Sequence, residues 1–243
     1  MSKDRKRWAI SIDIEGFSVK WRTDRAKVLV AISEQMDAIH RIGTKAYPDS
    51  PERLFAHQLA DGFLIVSEFH ELCLDRAASI AIALMRHLAC NEFASKATIA
   101  EGDFADITGC YPQSVWAEHI GSGSVRMGCG LMTISSTVGE AQINAYALQS
   151  VASGPLLLID PPLKGKLSKD FGVCEITSCT GSSAWCIDWL THKGRLADEI
   201  RTKAGLCAPE DARRWLRKYL KRENTPSEKW KRGATQLLAS SGC

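Results

Sequence analysis

Two isolated carboxylates stand where apolar segments of the sequence break. Asp13 lies in WAISIDIEGF (residues 8–17), which breaks at Gly16, and Asp61 lies in HQLADGFLIVS, where Asp61 and Gly62 separate two short apolar segments. An aspartate at such a position is commonly a solvated turn residue, and Asp-Gly is first of all a signal for a tight hairpin. Hard divalent ions such as Mg²⁺ or Mn²⁺, however, prefer oxygen ligands and often bridge to substrate phosphates. If the fold brings the two carboxylates together, they can form the protein part of a two-metal site for phosphoryl or nucleotidyl transfer.

The elements that would position Asp13 and Asp61 follow from hydrophobic periodicity and turn signals. The predicted elements are, in chain order, a strand over residues 8–14, a helix over 23–42, hairpin arms over 53–60 and 63–67, a helix over 70–91 and a strand over 96–107. This order is typical of an α+β fold with a ferredoxin-like (split βαβ) antiparallel sheet and helices on one face. A right-handed crossover makes the first two strands parallel, with the third antiparallel between them. Asp13 and Asp61, 48 positions apart in sequence, then share one edge of the sheet.

The second half of the chain extends this fold. Residues 109–135 are rich in glycine and predict a mobile arm or a long loop, and their SGSVRMGCG segment lacks the pattern of a P-loop. A helix over residues 138–151 and three short strands, at 155–160, 172–176 and 184–189, are expected next. From about Thr191 three amphipathic segments each begin with a cap or a proline. We therefore predict one domain over residues 1–190 and a basic helical module over residues 191–243.

Composition limits the class of protein. The 243 residues are 45% hydrophobic and 24% charged, as in an ordinary globular protein, and a net charge of +3 is too small to indicate a nucleic-acid binder. Nine cysteines form no CxxC pair and no regular spacing, which favours a reducing compartment. The basic N-terminus is followed by too short an apolar run for a signal peptide, and no stretch reaches the roughly 20 apolar residues of a membrane span. We expect a cytoplasmic protein.

Four segments resemble motifs of class III nucleotidyl (adenylate and guanylate) cyclases. IDIEGFS resembles the F-x-D-I-x-G-F signature of that family, and LADGFLIV resembles its G-D-G hairpin. TIAEGDFADI is similar to the family's strand with a following glycine, and GEAQINAYALQS to the helix that presents an asparagine to the ribose. The motifs occur in the family's order over residues 8–151. The compact chain and its G-E-A-x-x-N-A-Y helix most resemble the bacterial pyrimidine (uridylate and cytidylate) cyclases of the Pycsar antiphage defence system, which make cyclic UMP or cyclic CMP.

This resemblance implies roles for individual residues. Asp13 and Asp61 match the aspartates that bind two Mn²⁺ or Mg²⁺ ions, and the carbonyl of Ile14 matches a backbone ligand. Asn144 matches the asparagine that orients the ribose. The turn that holds the triphosphate is matched by Glu15, Gly16, Phe17 and Ser18. Members of the family work as head-to-tail dimers, so a homodimer is implied in which Asn144 completes the site of the other chain.

The reaction implied is cyclisation of a nucleoside triphosphate. The ribose 3′-hydroxyl attacks the α-phosphate, pyrophosphate leaves, and a 3′,5′-cyclic monophosphate results, with UTP favoured and CTP as the other pyrimidine. A role in antiviral signalling, with a separate effector that responds to the cyclic nucleotide, is implied in the same way. The alternatives are an adenylate or guanylate cyclase and a catalytically inactive cyclase-like domain that binds a nucleotide or a partner. Because a dead domain has no need for both metal aspartates, the pair favours the enzyme.

Two positions depart from the family pattern. Where members that use purines commonly have a lysine four residues before the hairpin aspartate, this chain has His57, so the charged hydrogen bond that reads a purine is missing. Leu148 stands where an arginine usually stabilises the transition state. Tyr47, in the loop before the second strand, is either the aromatic group that fills the room left by a smaller pyrimidine or an ordinary half-buried tyrosine. The cations that could replace the missing arginine are Arg22, Arg53 and Arg126.

Overall fold

The computed structural model describes residues 6–47, 54–121, 123–135, 137–177, 181, 183–222 and 227–241. The strands of the main sheet are β1 (Arg7–Ile14), β2 (Leu54–Leu59), β3 (Gly62–Ser67), β4 (Ser95–Gly102), β10 (Leu157–Ile159), β11 (Val173–Thr177) and β12 (Ser183–Ile187). The short strands elsewhere are β5 (Ala105–Asp106), β6 (His119–Gly121), β7 (Ser124–Met127), β8 (Gly130–Thr133) and β9 (Thr137–Val138). The helices are α1 (Phe17–Thr23), α2 (Arg25–Arg41), α3 (Asp75–Cys90), α4 (Gln113–Ala117), α5 (Glu140–Val151), α6 (Arg195–Lys203), α7 (Ala212–Leu220) and α8 (Glu228–Ser240).

The main sheet has the strand order β11-β12-β10-β4-β1-β3-β2. Its part β4-β1-β3-β2 is antiparallel throughout, which is the order expected of a ferredoxin-like fold, and β10 joins β4 in parallel. The predicted α+β fold is thereby confirmed. The hairpin β2–β3 turns at Ala60 and Asp61, as the Asp-Gly signal indicates, and Ala60 has a positive φ of 55°.

Strand β1 separates two packed layers. Its large side chains Trp8, Ile10, Ile12 and Ile14 are buried in the main core with α2 and α3. Its small residue Ala9 faces the opposite side, where Ala141 and Ala145 of α5 pack on the sheet. The sequence predicted helices on one face of the sheet only. The structure has α2 and α3 on that face and α5 on the other. Small side chains on both partners allow this close approach.

Helix α3 is shorter than predicted, since it begins at Asp75 rather than at residue 70. Nearly all its side chains are buried, because α2, α6 and the sheet surround it. On α2, the buried amide of Gln35 donates to the carbonyl of Ile12 at 3.2 Å and so fixes the helix to the end of β1.

The glycine-rich segment contains α4 and a small sheet, so of the two expected forms, a mobile arm or a long loop, the long loop was wrong. Strands β6, β7 and β8 form an antiparallel meander, and Met127 pairs with Gly130 around a two-residue turn. Gly128 in that turn has a φ of +59°, a conformation that favours glycine. Gly128 therefore serves a hairpin turn of this small sheet.

The three C-terminal helices form as predicted. Their apolar faces, with Trp215 of α7 and Trp230 of α8, belong to the same buried cluster as Trp189 and α3. The division into residues 1–190 and 191–243 stays a prediction. Within the described ranges, no helix is both long and apolar enough to cross a bilayer.

Candidate functional site

Asp13 and Asp61 come together where β1 ends and the β2–β3 hairpin turns. Ile12 pairs with Phe63, so the end of β1 lies beside Gly62. A Cβ atom on Gly62 would lie 2.8 Å from the carbonyl oxygen of Ile12 and 3.4 Å from the Asp13 Cβ. Only a glycine allows the turn to approach β1 so closely, and this contact brings the two carboxylates to one edge of the sheet.

The environment of the two carboxylates disfavours their negative charge. Burial raises the pKa of Asp13, and the neighbouring charge of Asp61 raises it further, against the opposing effect of Lys96. Burial also raises the pKa of Asp61. Two half-buried acids at one edge form a donor set that a divalent cation would stabilise.

Lys96 is a site residue that the sequence argument missed. It pairs with Asp13 across β1 and β4, and its amine donates to the carbonyls of Gln149 at 2.6 Å and Ala152 at 3.3 Å, at the end of α5. Its proximity to Asp13 depends on the register of two strands that are distant in sequence. No local pattern around Lys96 signals it.

The turn after Asp13 has a defined conformation. Gly16 has a φ of +72°, and the amide of Glu15 donates to the carbonyl of Ala94 at 2.9 Å. Burial and then the charge of Asp13 raise the pKa of Glu15 to about 7. Phe17 stacks on Trp21 with ring centroids 5.5 Å apart, and Ser18 is exposed. The four turn residues thus follow directly on the carboxylate edge.

Asn144 lies at the other end of the same sheet face. Its side-chain amide donates to the carbonyl of Glu101 at 3.0 Å, and Glu101 pairs with Trp8. Trp8 precedes Asp13 by five residues, which corresponds to about 17 Å along the strand. Within one chain, Asn144 and Asp13 are therefore not brought together.

His57 is level with Ser11 in the middle of β1, and its side chain borders a cavity that Arg7, next to Trp8, also lines. Its Nε2 atom is 3.0 Å from the hydroxyl of Thr137, and burial lowers the pKa of His57, so the ring is neutral at pH 7. Phe55 and Phe104 line the cavity of about 290 Å³ beside it. Thr137 was missed by the sequence argument, since only the pairing of β5 with β9 carries it to β2.

The remaining candidates lie elsewhere. Tyr47 packs against the main core, with the Arg76 guanidinium 5.6 Å from its ring centroid. Leu148 is buried, which leaves no room there for a cation that faces solvent. Arg22 and Arg126 are exposed on α1 and β7. Arg53 lies outside the described residues.

The donor set at the carboxylate edge is small. In the part of the chain that the structure describes, no group of three or more His, Cys, Asp or Glu side chains is placed to hold a metal ion. Asp13 and Asp61 supply two carboxylates, and the carbonyl of Ile14 is adjacent in sequence. Such a set fits ions whose remaining ligands are water and substrate phosphate oxygens.

Comparison with known proteins finds similarity of structure only. No family model matches the sequence, and no curated protein matches it. The guanylyl cyclase Cya2 is similar with a TM-score of 0.46 and 11% identity, over 77% of this chain and 94% of that one. The guanylyl cyclase domain of the RhoGC fusion protein from the aquatic fungus Blastocladiella emersonii is similar with a TM-score of 0.47 and 9% identity, over 77% of this chain and 97% of that one. A bacterial light-regulated adenylyl cyclase is similar with a TM-score of 0.45 and 10% identity, over 82% of this chain and 57% of that one. All three TM-scores lie below 0.5, so the site assignment rests on the residues and contacts above.

Proposed function

We propose that this chain is a nucleotide cyclase. The observation that carries the proposal is the approach of Asp13 and Asp61 at one edge of the sheet, through the contact of Gly62 with the end of β1. The 3′-oxygen of the ribose forms a bond to the α-phosphorus, the bond from that phosphorus to the bridging oxygen breaks, and pyrophosphate leaves with the electron pair. The proton of the 3′-hydroxyl passes to solvent.

Each residue at the carboxylate edge has a distinct part in this reaction. Asp13 and Asp61, with the carbonyl of Ile14, would hold two Mn²⁺ or Mg²⁺ ions, which when bound lower the pKa of the hydroxyl and neutralise charge on the phosphates. Lys96 offsets the charge of Asp13 from the neighbouring strand. The turn formed by residues 15–18 lies next to this edge and is proposed to hold the triphosphate.

A second copy of the chain completes the site in this proposal. Asn144 and the cavity beside the His57–Thr137 pair lie at one end of the sheet face, and Asp13 and Asp61 lie at the other. A head-to-tail homodimer would place the first group of one protomer opposite the second group of its partner, and two such sites would form. Asn144 is then the residue that orients the ribose across the dimer.

The proposed substrate is a pyrimidine nucleoside triphosphate, with UTP favoured over CTP. The neutral ring of His57, paired with the Thr137 hydroxyl, offers hydrogen bonds to a base without the charge of a lysine. The aromatic walls Phe55 and Phe104 suit a planar ring. On the resemblance alone, the proposal extends to a second messenger of antiviral defence. The alternative is a purine cyclase, and a comparison of turnover with UTP, CTP, ATP and GTP distinguishes the two.

Two experiments test the proposal. Purified protein with Mn²⁺ should form a cyclic monophosphate and pyrophosphate from UTP or CTP faster than from ATP or GTP, as measured by chromatography and mass spectrometry. Absence of product from all four would contradict catalysis, and nucleotide binding without turnover would instead support the inactive domain, which the buried Leu148 favours. In a mixture of equal amounts of inactive Asp13→Ala and Asn144→Ala chains, random dimers should recover about a quarter of wild-type activity. No recovery would place Asn144 and Asp13 in the site of the same chain.

A further inference from the structure

The C-terminal helices reach the turn that follows Asp13. The amine of Lys20 donates to the carbonyl oxygen of Glu15 at 2.8 Å and lies 3.3 Å from the hydroxyl of Tyr219 on α7. These two contacts join segments 199 residues apart in the sequence. Lys20 thereby bridges the backbone of the turn and a side chain of the C-terminal helices.

Tyr219 is itself held firmly. Its ring packs at 5.3 Å from Trp215 and 5.5 Å from Trp230, measured between centroids, and all three side chains are buried. An aromatic row of this kind leaves the Tyr219 hydroxyl little freedom to move.

Cations lie over Tyr219 as well. The Lys20 amine is 6.0 Å and the Arg222 guanidinium 5.5 Å from its ring centroid, and Arg222 forms an ion pair with Glu92 in the segment between α3 and β4. The position of the Lys20 amine is therefore set by α7, by α8 and by the segment next to β4. None of these contacts is needed to pair the strands of the sheet.

We infer that Tyr219 and Lys20 are positioning residues of the candidate site, through which α7 and α8 fix the turn at Glu15 and Gly16 against the carboxylate edge. The inference rests on the proposed function, because it assigns this turn a part in binding the triphosphate. It gives the C-terminal helices a role in substrate binding that goes beyond covering the core. The substrate group concerned is the triphosphate, not the base.

The test uses the chain of 243 residues with Tyr219→Phe, which removes one hydroxyl, and Lys20→Met, which removes the charge but keeps most of the apolar stem. Lys20→Arg keeps a charged hydrogen-bond donor at this position. Tyr111→Phe is the matched control for Tyr219→Phe, since Tyr111 is buried and its hydroxyl has no hydrogen-bond partner among the described residues. The first readout is amide hydrogen exchange of the peptide spanning residues 13–20. Both Tyr219→Phe and Lys20→Met should exchange several-fold faster there, while α3 stays unchanged.

The second readout is steady-state kinetics with UTP and Mn²⁺. Tyr219→Phe and Lys20→Met should raise KM about tenfold with a smaller change in kcat, as expected for the loss of one hydrogen bond to a charged group. Lys20→Arg keeps a charged donor, so its KM should lie close to the wild-type value. The KM of Tyr111→Phe should equal that of the wild type. If Lys20 served only packing, Lys20→Met and Lys20→Arg would have the same KM.

The outcomes separate the inference from the proposed function. Unchanged exchange at residues 13–20 in both variants overturns the inference, whatever the enzyme does. Faster exchange with unchanged KM also overturns it, because the turn would then not serve the substrate. If the wild type turns over no nucleotide, the proposed function fails, and faster exchange in the variants still supports the link between α7 and the turn.

Discussion

The two ends of β1 carry opposite arrangements of charge. At the Trp8 end, the guanidinium of Arg76 donates from Nε to both carboxylate oxygens of Glu71, at 3.1 and 3.0 Å, and Ser67 donates to the same carboxylate at 2.8 Å. The Arg76 guanidinium also lies 5.0 Å from the ring centroid of Trp8. Cation and anion meet directly in this network and form an ion pair.

At the Asp13 end, like charges meet instead. Asp13 lies beside Asp61 and close to Glu15, and the pKa of each carboxyl is raised. Lys96 is near, but its amine is hydrogen-bonded to carbonyl groups of the α5 end rather than directly to Asp13. Acids held together without a direct counter-ion reduce stability, and such clusters are typical of functional sites. The comparison points to a stabilising role for the Glu71–Arg76 network at the Trp8 end, and it supports the proposal that the acids at the Asp13 end bind a ligand.

The largest expected effect is the loss of turnover on removal of either acid. Asp13→Ala or Asp61→Ala should reduce the rate of cyclic nucleotide formation by about a thousandfold or more, because the metal ions would lose a ligand. The free energy of unfolding, measured by urea titration without metal, should stay equal or rise, since a like charge is removed. Asp37→Asn, on the surface of α2, is the control. Retained turnover in either variant would contradict the metal assignment.

The opposite result is expected at the Trp8 end. Glu71→Gln keeps the shape of the side chain but leaves the buried Arg76 without its counter-ion, so the free energy of unfolding should fall by about 3 kcal/mol. Turnover per folded molecule should remain close to that of the wild type. If Glu71→Gln is instead stable and inactive, the distinction between the two ends is wrong.

The features that the sequence predicted well depend on local patterns. The alternating isoleucines of β1 and the Asp-Gly turn need only neighbouring residues, and together with the chirality of crossovers they predict that Asp13 and Asp61 share one edge of the sheet. The three C-terminal helices followed likewise from caps and amphipathic spacing. The glycine-rich meander was mistaken for a loop because its strands are only three or four residues long.

What the sequence could not predict depends on contacts between distant segments. The position of Lys96 opposite Asp13 needs the register of β1 and β4, and Thr137 reaches His57 only through β9. The contact of Tyr219 with Lys20 requires the packing of α7 against the first helix. Leu148, which departs from the family pattern, lies in the core, and Tyr47 packs against the core, as expected for the ordinary half-buried tyrosine that was the alternative at this position.

A smaller expected effect is stabilisation of the folded chain by Mn²⁺, which should depend on the Asp13 end of β1 and not on the Trp8 end. Mn²⁺ at about a hundred times its dissociation constant should stabilise the wild type by about 2.7 kcal/mol, because only the folded chain brings the two carboxylates together. Asp61→Asn should lose this gain, Glu71→Gln should keep it, and a chelator should reverse it. The measurement is thermal unfolding at several Mn²⁺ concentrations. Equal stabilisation of Asp61→Asn and the wild type would place the metal elsewhere.

The smallest expected effect tests the contact that brings the acids together. Gly62→Ala places a Cβ 2.8 Å from the Ile12 carbonyl, and the hairpin must move away from β1, which should cost about 1–2 kcal/mol of unfolding free energy. Gly43→Ala is the matched control, since a Cβ there meets nothing within 4 Å. The displaced turn should also raise the Mn²⁺ concentration needed for half-maximal turnover, whereas the control should not. If both variants bind Mn²⁺ equally well, the spacing of Asp13 and Asp61 does not determine metal affinity, and their charge alone would account for the site.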